Sequence, residues 1–221
     1  MKKINLVLVA FFLTATVHAQ SEKFASAMQP KVIAIDTTHN KDVFIDLANA
    51  FERIAEAEKT QWLPYYYAAL ANVNAGNMIM TGSDNMMGNN SEKLDPLADK
   101  ADQLLTKAEG LAKDNSEIYV VKKMIATLRM MGDVMNRYMT YGPAATEALE
   151  TAKKLNPENP RVYLLEAEDK FFTPEQYGGS KEEAKNLFEE ALKKFESFKP
   201  ESNLHPNWGK EQANYFLSQI K

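Results

Sequence analysis

Apolar residues recur at helical spacing over most of this chain. The clearest run contains Ala145, Ala148, Leu149, Ala152 and Leu155, which fall on one face of a helix. The positions between them are mostly Glu, Lys and Thr. The pattern predicts an amphipathic helix that packs through small and medium-sized side chains.

A proline-rich turn follows this helix. The segment Asn156–Pro160 ends it, because Pro157 has no backbone N–H and disfavours helical dihedral angles in the preceding residue. Asn159 is a good N-cap, and the proline after it suits the first helical position. A second helix carrying Tyr163 is therefore predicted to fold back on the first, so that residues 145–163 form a helical hairpin.

This hairpin resembles the junction between tetratricopeptide (TPR) repeats, where small, bulky and small residues precede a proline turn and an aromatic residue opens the next repeat. The same aromatic-to-small spacing recurs at Tyr65 and Ala69, and residues 107–119 align without a gap with residues 151–163. The resemblance implies an all-α fold, a right-handed α-α superhelix of TPR-like hairpins with a capping C-terminal helix. We place that capping helix at residues 208–220.

Two segments lack helical periodicity. Residues from about 77 to 94 are rich in Gly, Asn, Ser and Met, and residues from about 132 to 142 in Met and Tyr. We expect both to be loops that lengthen the repeats beyond the usual ~34 residues. No run alternates polar and apolar residues as a half-buried strand would, so residues 20–221 are predicted to form a single TPR-like α-helical domain.

The first nineteen residues have the pattern of a signal peptide. Lys2 and Lys3 precede an apolar run, which is followed by Val17-His18-Ala19. We expect cleavage before Gln20 and a periplasmic or secreted protein. The chain contains no cysteine, so a lipobox anchor is excluded, and no later segment approaches ~20 apolar residues. No membrane insertion is expected after signal removal.

The charge of the chain argues against polyanionic partners. The formal charge is −4, and loss of two lysines with the signal peptide makes it two units more negative. Nucleic acids and anionic lipids need clustered Lys and Arg, which this sequence lacks. We expect no nucleic-acid partner.

Catalytic and metal-binding patterns are weak. His39 and His205 stand in no metal-ligand spacing, and the glycines of residues 178–181 lack the spacing of a phosphate-binding loop. No serine or pair of acids is singled out by its surroundings. We therefore expect a protein that is not an enzyme and has no metal and no cofactor.

Methionine is unusually abundant. Nine methionines lie between Met78 and Met139, and four of them fall within residues 78–87. Thioethers suit a soft ion such as Cu(I), but methionine also fills irregular gaps and makes adaptable apolar surfaces. Binding of Cu(I) or a small molecule by these Met-rich loops remains an alternative function.

The leading hypothesis is an exported, non-catalytic interaction or scaffold module. In TPR-like proteins the first helix of each hairpin lines a concave groove that binds a peptide or protein partner. The resemblance assigns partner binding to nine residues of this chain. The apolar ones among them could equally belong to the core. They are Tyr66, Leu70, Asn74, Glu117, Met124, Leu128, Arg161, Glu168 and Phe171.

Overall fold

The computed structural model describes residues 22–82 and 88–220, and within them every regular element is helical. The all-α prediction is confirmed for this part of the chain. The predicted signal peptide lies outside the described residues. The first helix, α1, covers residues 22–37 of the described part. The following helices are α2 (Lys41–Glu58), α3 (Trp62–Thr81), α4 (Ser91–Leu111), α5 (Ser116–Gly132), α6 (Val134–Leu155), α7 (Pro160–Phe172), α8 (Lys181–Ser197) and α9 (Lys210–Gln219), with a short 3₁₀ turn at Glu175–Tyr177.

Side-chain caps begin several of these helices where the sequence suggested. Asn40 accepts hydrogen bonds from the first turn of α2, Asn159 from Arg161 N in α7, and Ser180 from Glu183 N in α8. Each cap supplies an acceptor to an N–H that has no partner within the helix. The predicted turn between α6 and α7 is therefore confirmed.

Helix α3 forms the centre of the molecule. It packs against α2, α4 and α5, and its residues from Leu63 to Val73 are all buried. A helix enclosed on several sides can be apolar around its whole circumference. The consecutive aromatics Tyr65, Tyr66 and Tyr67 are therefore all accommodated inside, and Tyr67 donates a hydrogen bond to the Leu204 carbonyl at 3.0 Å.

The predicted loop at residues 132–142 is wrong, because helix α6 already begins at Val134. Its start is capped by Asp133, whose side chain accepts from Asn136 N. Arg137 then binds Asp95 of α4 through two hydrogen bonds of 2.6 and 2.8 Å. A cap and a long-range ion pair stabilise this turn of helix.

The other predicted loop is shorter than expected. Helix α3 continues to Thr81 and α4 starts at Ser91, so helix occupies both ends of the segment 77–94. Residues 83–87 lie outside the described part, and Met86 and Met87 with them. Of the other two methionines in this segment, Met80 is buried and Met78 is partly buried, packed against the core.

Helices α5, α7 and α9 run side by side in the same direction. Near their starts Arg161 of α7 binds Glu117 of α5, and about two turns later Asp169 binds Lys123. Between α7 and α9, Glu168 binds Gln212 and Phe172 contacts Phe216 one turn further on. The Arg161–Glu117 and Gln212–Glu168 bonds each join residues 44 positions apart. The Lys123–Asp169 bond joins residues 46 apart, so the three helices repeat with nearly the same register.

Candidate ligand-binding site

A buried ion pair joins the N-terminal ends of α5 and α7. Arg161 has no exposed side-chain surface, and its Nε and Nη2 atoms donate to the two carboxylate oxygens of Glu117 at 2.7 and 2.5 Å. Asn159 Nδ2 donates to Glu117 Oε1 at 2.9 Å, and the Tyr66 hydroxyl to Oε2 at 3.4 Å. Such a pair is tolerable inside a protein because hydrogen bonds replace the lost hydration.

The segment before α9 closes this cluster. Trp208 Nε1 donates to the Tyr66 hydroxyl at 2.9 Å, and the guanidinium of Arg161 lies 4.7 Å from the centroid of the Phe198 ring. Burial raises the pKa of Tyr66 well above its usual range, so the hydroxyl stays protonated and can donate to Glu117. The cluster is therefore a structural element inside the core.

The nine residues that we expect to line a partner groove fall into two groups, one buried and one partly exposed. The buried ones, which offer no side-chain surface to a partner in this structure, are Tyr66, Leu70, Leu128 and Arg161. The partly exposed ones are Asn74, Glu117, Met124, Glu168 and Phe171. The structure brings Tyr66, Glu117 and Arg161 together in the buried cluster described above. It places Glu168 and Phe171 beside α9.

Aromatic side chains form a continuous group where α7, α8 and α9 meet. We name this group the aromatic patch, and its members are Phe171, Phe172, Phe188, Tyr215 and Phe216. The Phe216 centroid lies 5.2 to 5.9 Å from those of the other four rings. Phe188 is buried beneath the group, whereas Phe172 is 63% exposed and Tyr215 60% exposed. Phe172 and Tyr215 therefore offer aromatic surface to a ligand above a packed base.

A cation lies at one side of the aromatic patch. Lys181, the first residue of α8, has its Nζ 3.2 Å from the centroid of the Phe171 ring and donates to the Phe171 carbonyl at 2.7 Å. Lys170 also reaches this region, where it pairs with Glu183 at 2.6 Å. Aromatic faces with an adjacent ammonium can hold a flat ring system that carries acidic groups.

A carboxylate also lies close to the aromatic patch along α7. Glu168 stands one helical turn before Phe171 and Phe172, and its Oε1 accepts from Gln212 Nε2 at 2.6 Å. The pKa of Glu168 is raised to about 7, chiefly by burial, which outweighs the lowering effect of Lys123; Asp169 adds a smaller upward contribution and the hydrogen bond from Gln212 a smaller downward one. This group can therefore change its charge near neutral pH.

A second apolar surface is exposed on α6. Met135 and Met139 are 77% and 82% exposed, and Tyr138 between them is 54% exposed. Their spacing of three and four residues puts them on one side of the helix. They are different residues from the four methionines of residues 78–87 on which the Cu(I) alternative rests.

Sequence reasoning missed Tyr215 and Phe216. Both lie in the short helix α9, which we regarded only as a cap. They stand 44 positions after Phe171 and Phe172, the same interval that separates Glu168 from Gln212. A second pair of adjacent aromatics at the register of the repeat was the signal that could have found them.

Two searches of the described residues gave negative results. No helix there is both long and apolar enough to cross a bilayer. No group of three or more His, Asp or Glu side chains in that part of the chain could hold a metal ion.

The fold and the site define an all-α protein of packed neighbouring helices with an exposed aromatic surface. No protein-family model matches the chain, and no curated protein sequence matches it significantly. Among solved structures, the HusA haemophore from Porphyromonas gingivalis is similar, with a TM-score of 0.76 and 31% sequence identity. The match covers 90% of this chain and 92% of HusA. The chain therefore belongs to the family of HusA.

Proposed function

We propose that this protein is an exported, non-catalytic carrier that binds a haem-class ligand on the aromatic patch. The observation that carries the proposal is the similarity to HusA, a haemophore, over nearly the full length of both chains. A haemophore acts outside the cytoplasm, which agrees with the expected signal peptide and a periplasmic or secreted location. We expect the carrier to perform no reaction.

The aromatic patch suits a flat macrocycle. Its exposed rings, Phe172 and Tyr215, each contact Phe216, which packs on the buried Phe188. Large exposed apolar surfaces on monomeric proteins usually mark binding sites. Lys181 beside Phe171 can pair with a carboxylate of the ligand.

This proposal favours the alternative carrier function over the peptide-binding module. Four of the nine residues expected to bind a partner are buried, so their side chains offer no surface to one. The aromatic patch retains Glu168 and Phe171 from the same nine. A TPR-like superhelix remains part of the proposal, and the common register of α5, α7 and α9 supports it.

The test is a titration of the mature protein, residues 20–221, with haem and with iron-free protoporphyrin IX. Absorbance and tryptophan fluorescence would follow binding. We expect Phe172→Ala and Tyr215→Ala each to weaken binding roughly three- to tenfold, the value of one aromatic contact. Both side chains are more than half exposed, so their loss should leave the fold intact.

A matched control is Tyr138→Ala, which removes an exposed tyrosine from α6. It should bind both compounds like the wild type. If the wild type bound neither compound saturably, the carrier function would be wrong. If Tyr138→Ala weakened binding and the patch variants did not, the ligand would lie on α6 instead.

A further inference from the structure

We propose that Glu168 sets the affinity of the aromatic patch for anionic ligands, so that the ligand binds more tightly when this carboxyl group is protonated. The inference rests on the proposed function, because it concerns the same site. It assigns a selective role to a residue that otherwise only joins two helices.

The position of Glu168 is the first support. It precedes Phe171 and Phe172 by one turn of α7, and its partner Gln212 precedes Tyr215 and Phe216 by one turn of α9. The Glu168–Gln212 hydrogen bond therefore borders the aromatic patch directly. A negative charge here would stand about one helical turn from a ligand stacked on the rings, which is less than the Debye length of about 10 Å.

The surroundings of Glu168 are the second support. Lys123 faces it from α5, but the Nζ of that lysine binds Asp169 Oδ1 at 2.7 Å. Gln212 faces it from α9 and is neutral, and Asp169 is its neighbour on α7. No cation is dedicated to Glu168 among the groups that the described residues place around it. Because its carboxylate has no dedicated cation, Glu168 holds its proton more tightly than an ordinary glutamate does and loses it only near neutral pH, in agreement with its pKa of about 7.

The chemical consequence is a ligand preference that changes with pH. Below about pH 7 the carboxyl group is neutral, and the aromatic patch next to Lys181 attracts carboxylates. Above that pH, Glu168 repels them. By linkage, each unit by which the bound anion raises the pKa of Glu168 corresponds to a tenfold change in affinity. We expect a shift of about one unit.

The experiment measures the dissociation constant of iron-free protoporphyrin IX between pH 5.5 and 8.5 for the wild type and Glu168→Gln. Glutamine retains the hydrogen-bonding shape and cannot ionise. Wild-type affinity should fall about tenfold more than that of Glu168→Gln as the pH rises. Because the ligand's own titration is common to both proteins, the difference isolates Glu168.

Glu182→Gln is the matched control, since it removes an exposed negative charge next to Lys181. Its pH profile should follow the wild type. If the Glu168→Gln profile coincided with that of the wild type while both bound the porphyrin, the role of Glu168 would be disproved and the carrier function would stand. Absence of binding by the wild type at every pH would refute the carrier function itself.

Discussion

Replacement of Arg161 by methionine should destabilise the protein strongly. Methionine fills much of the arginine volume but leaves the Glu117 carboxylate without its cation. In the native structure that carboxylate is 13% exposed and accepts two charge-assisted bonds from Arg161. After the change only the neutral donors Asn159 and Tyr66 remain. Removal of one partner from a buried pair costs about 3 to 5 kcal/mol.

Chemical denaturation followed by circular dichroism would measure this loss. For a chain of this size, 3 to 5 kcal/mol corresponds to a fall of roughly 6 to 20 °C in Tm. The double variant Glu117→Gln, Arg161→Met removes both charges and keeps an acceptor for Asn159, so it should recover a large part of the loss. The control Arg53→Met, at an exposed arginine of α2, should stay within about 0.5 kcal/mol of the wild type. A cost for Arg161→Met as small as that of the control would refute the reasoning.

Three further predictions concern stability. Gly209 has a φ of 104°, and a Cβ there would lie 2.7 Å from Leu164 Cδ2, so Gly209→Ala should lower the free energy of unfolding by about 1 to 3 kcal/mol. Gly110→Ala in α4, where a Cβ meets nothing within 4 Å, should instead raise it by about 0.5 to 1 kcal/mol; equal denaturation midpoints for the two variants would contradict this. The pKa of Glu168 is raised on folding, so the native state binds its proton more tightly than the unfolded state does. The free energy of unfolding should therefore fall by about 1 kcal/mol, after allowance for solvent screening, as the pH rises from about 4.5 to about 7, and urea titrations should show a smaller fall for Glu168→Gln.

Local chemistry made the hairpin between α6 and α7 predictable. Asn159 caps α7 and the helix starts at Pro160, because these residues act on the backbone next to them. The start of α6 was not predictable in this way. It depends on Arg137 binding Asp95, which is 42 positions away.

The groove residues show the same division between local and distant causes. The repeat register correctly grouped Glu117 with Arg161, but it could not reveal that both would be enclosed. Their enclosure depends on Trp208, whose indole binds Tyr66 from 142 positions away. A sequence pattern records which face of a helix is apolar, whereas burial of a polar residue depends on which distant segment covers it.

The shared register of α5, α7 and α9 explains why the candidate site lies at one end of this array. Near the N-terminal ends of α5 and α7, Trp208 covers Glu117 and Arg161. About three turns further along α7, Phe172 contacts Phe216 of α9, and Phe172 is exposed to solvent. A helix that only caps an array needs a polar outer face. Helix α9 instead exposes most of Tyr215, and Phe172, which contacts Phe216 of the same helix, is also exposed. Exposed aromatic surface of this kind favours self-association unless a ligand covers it. The proposed carrier function supplies such a ligand, whereas a purely capping role leaves these exposed aromatics without a purpose.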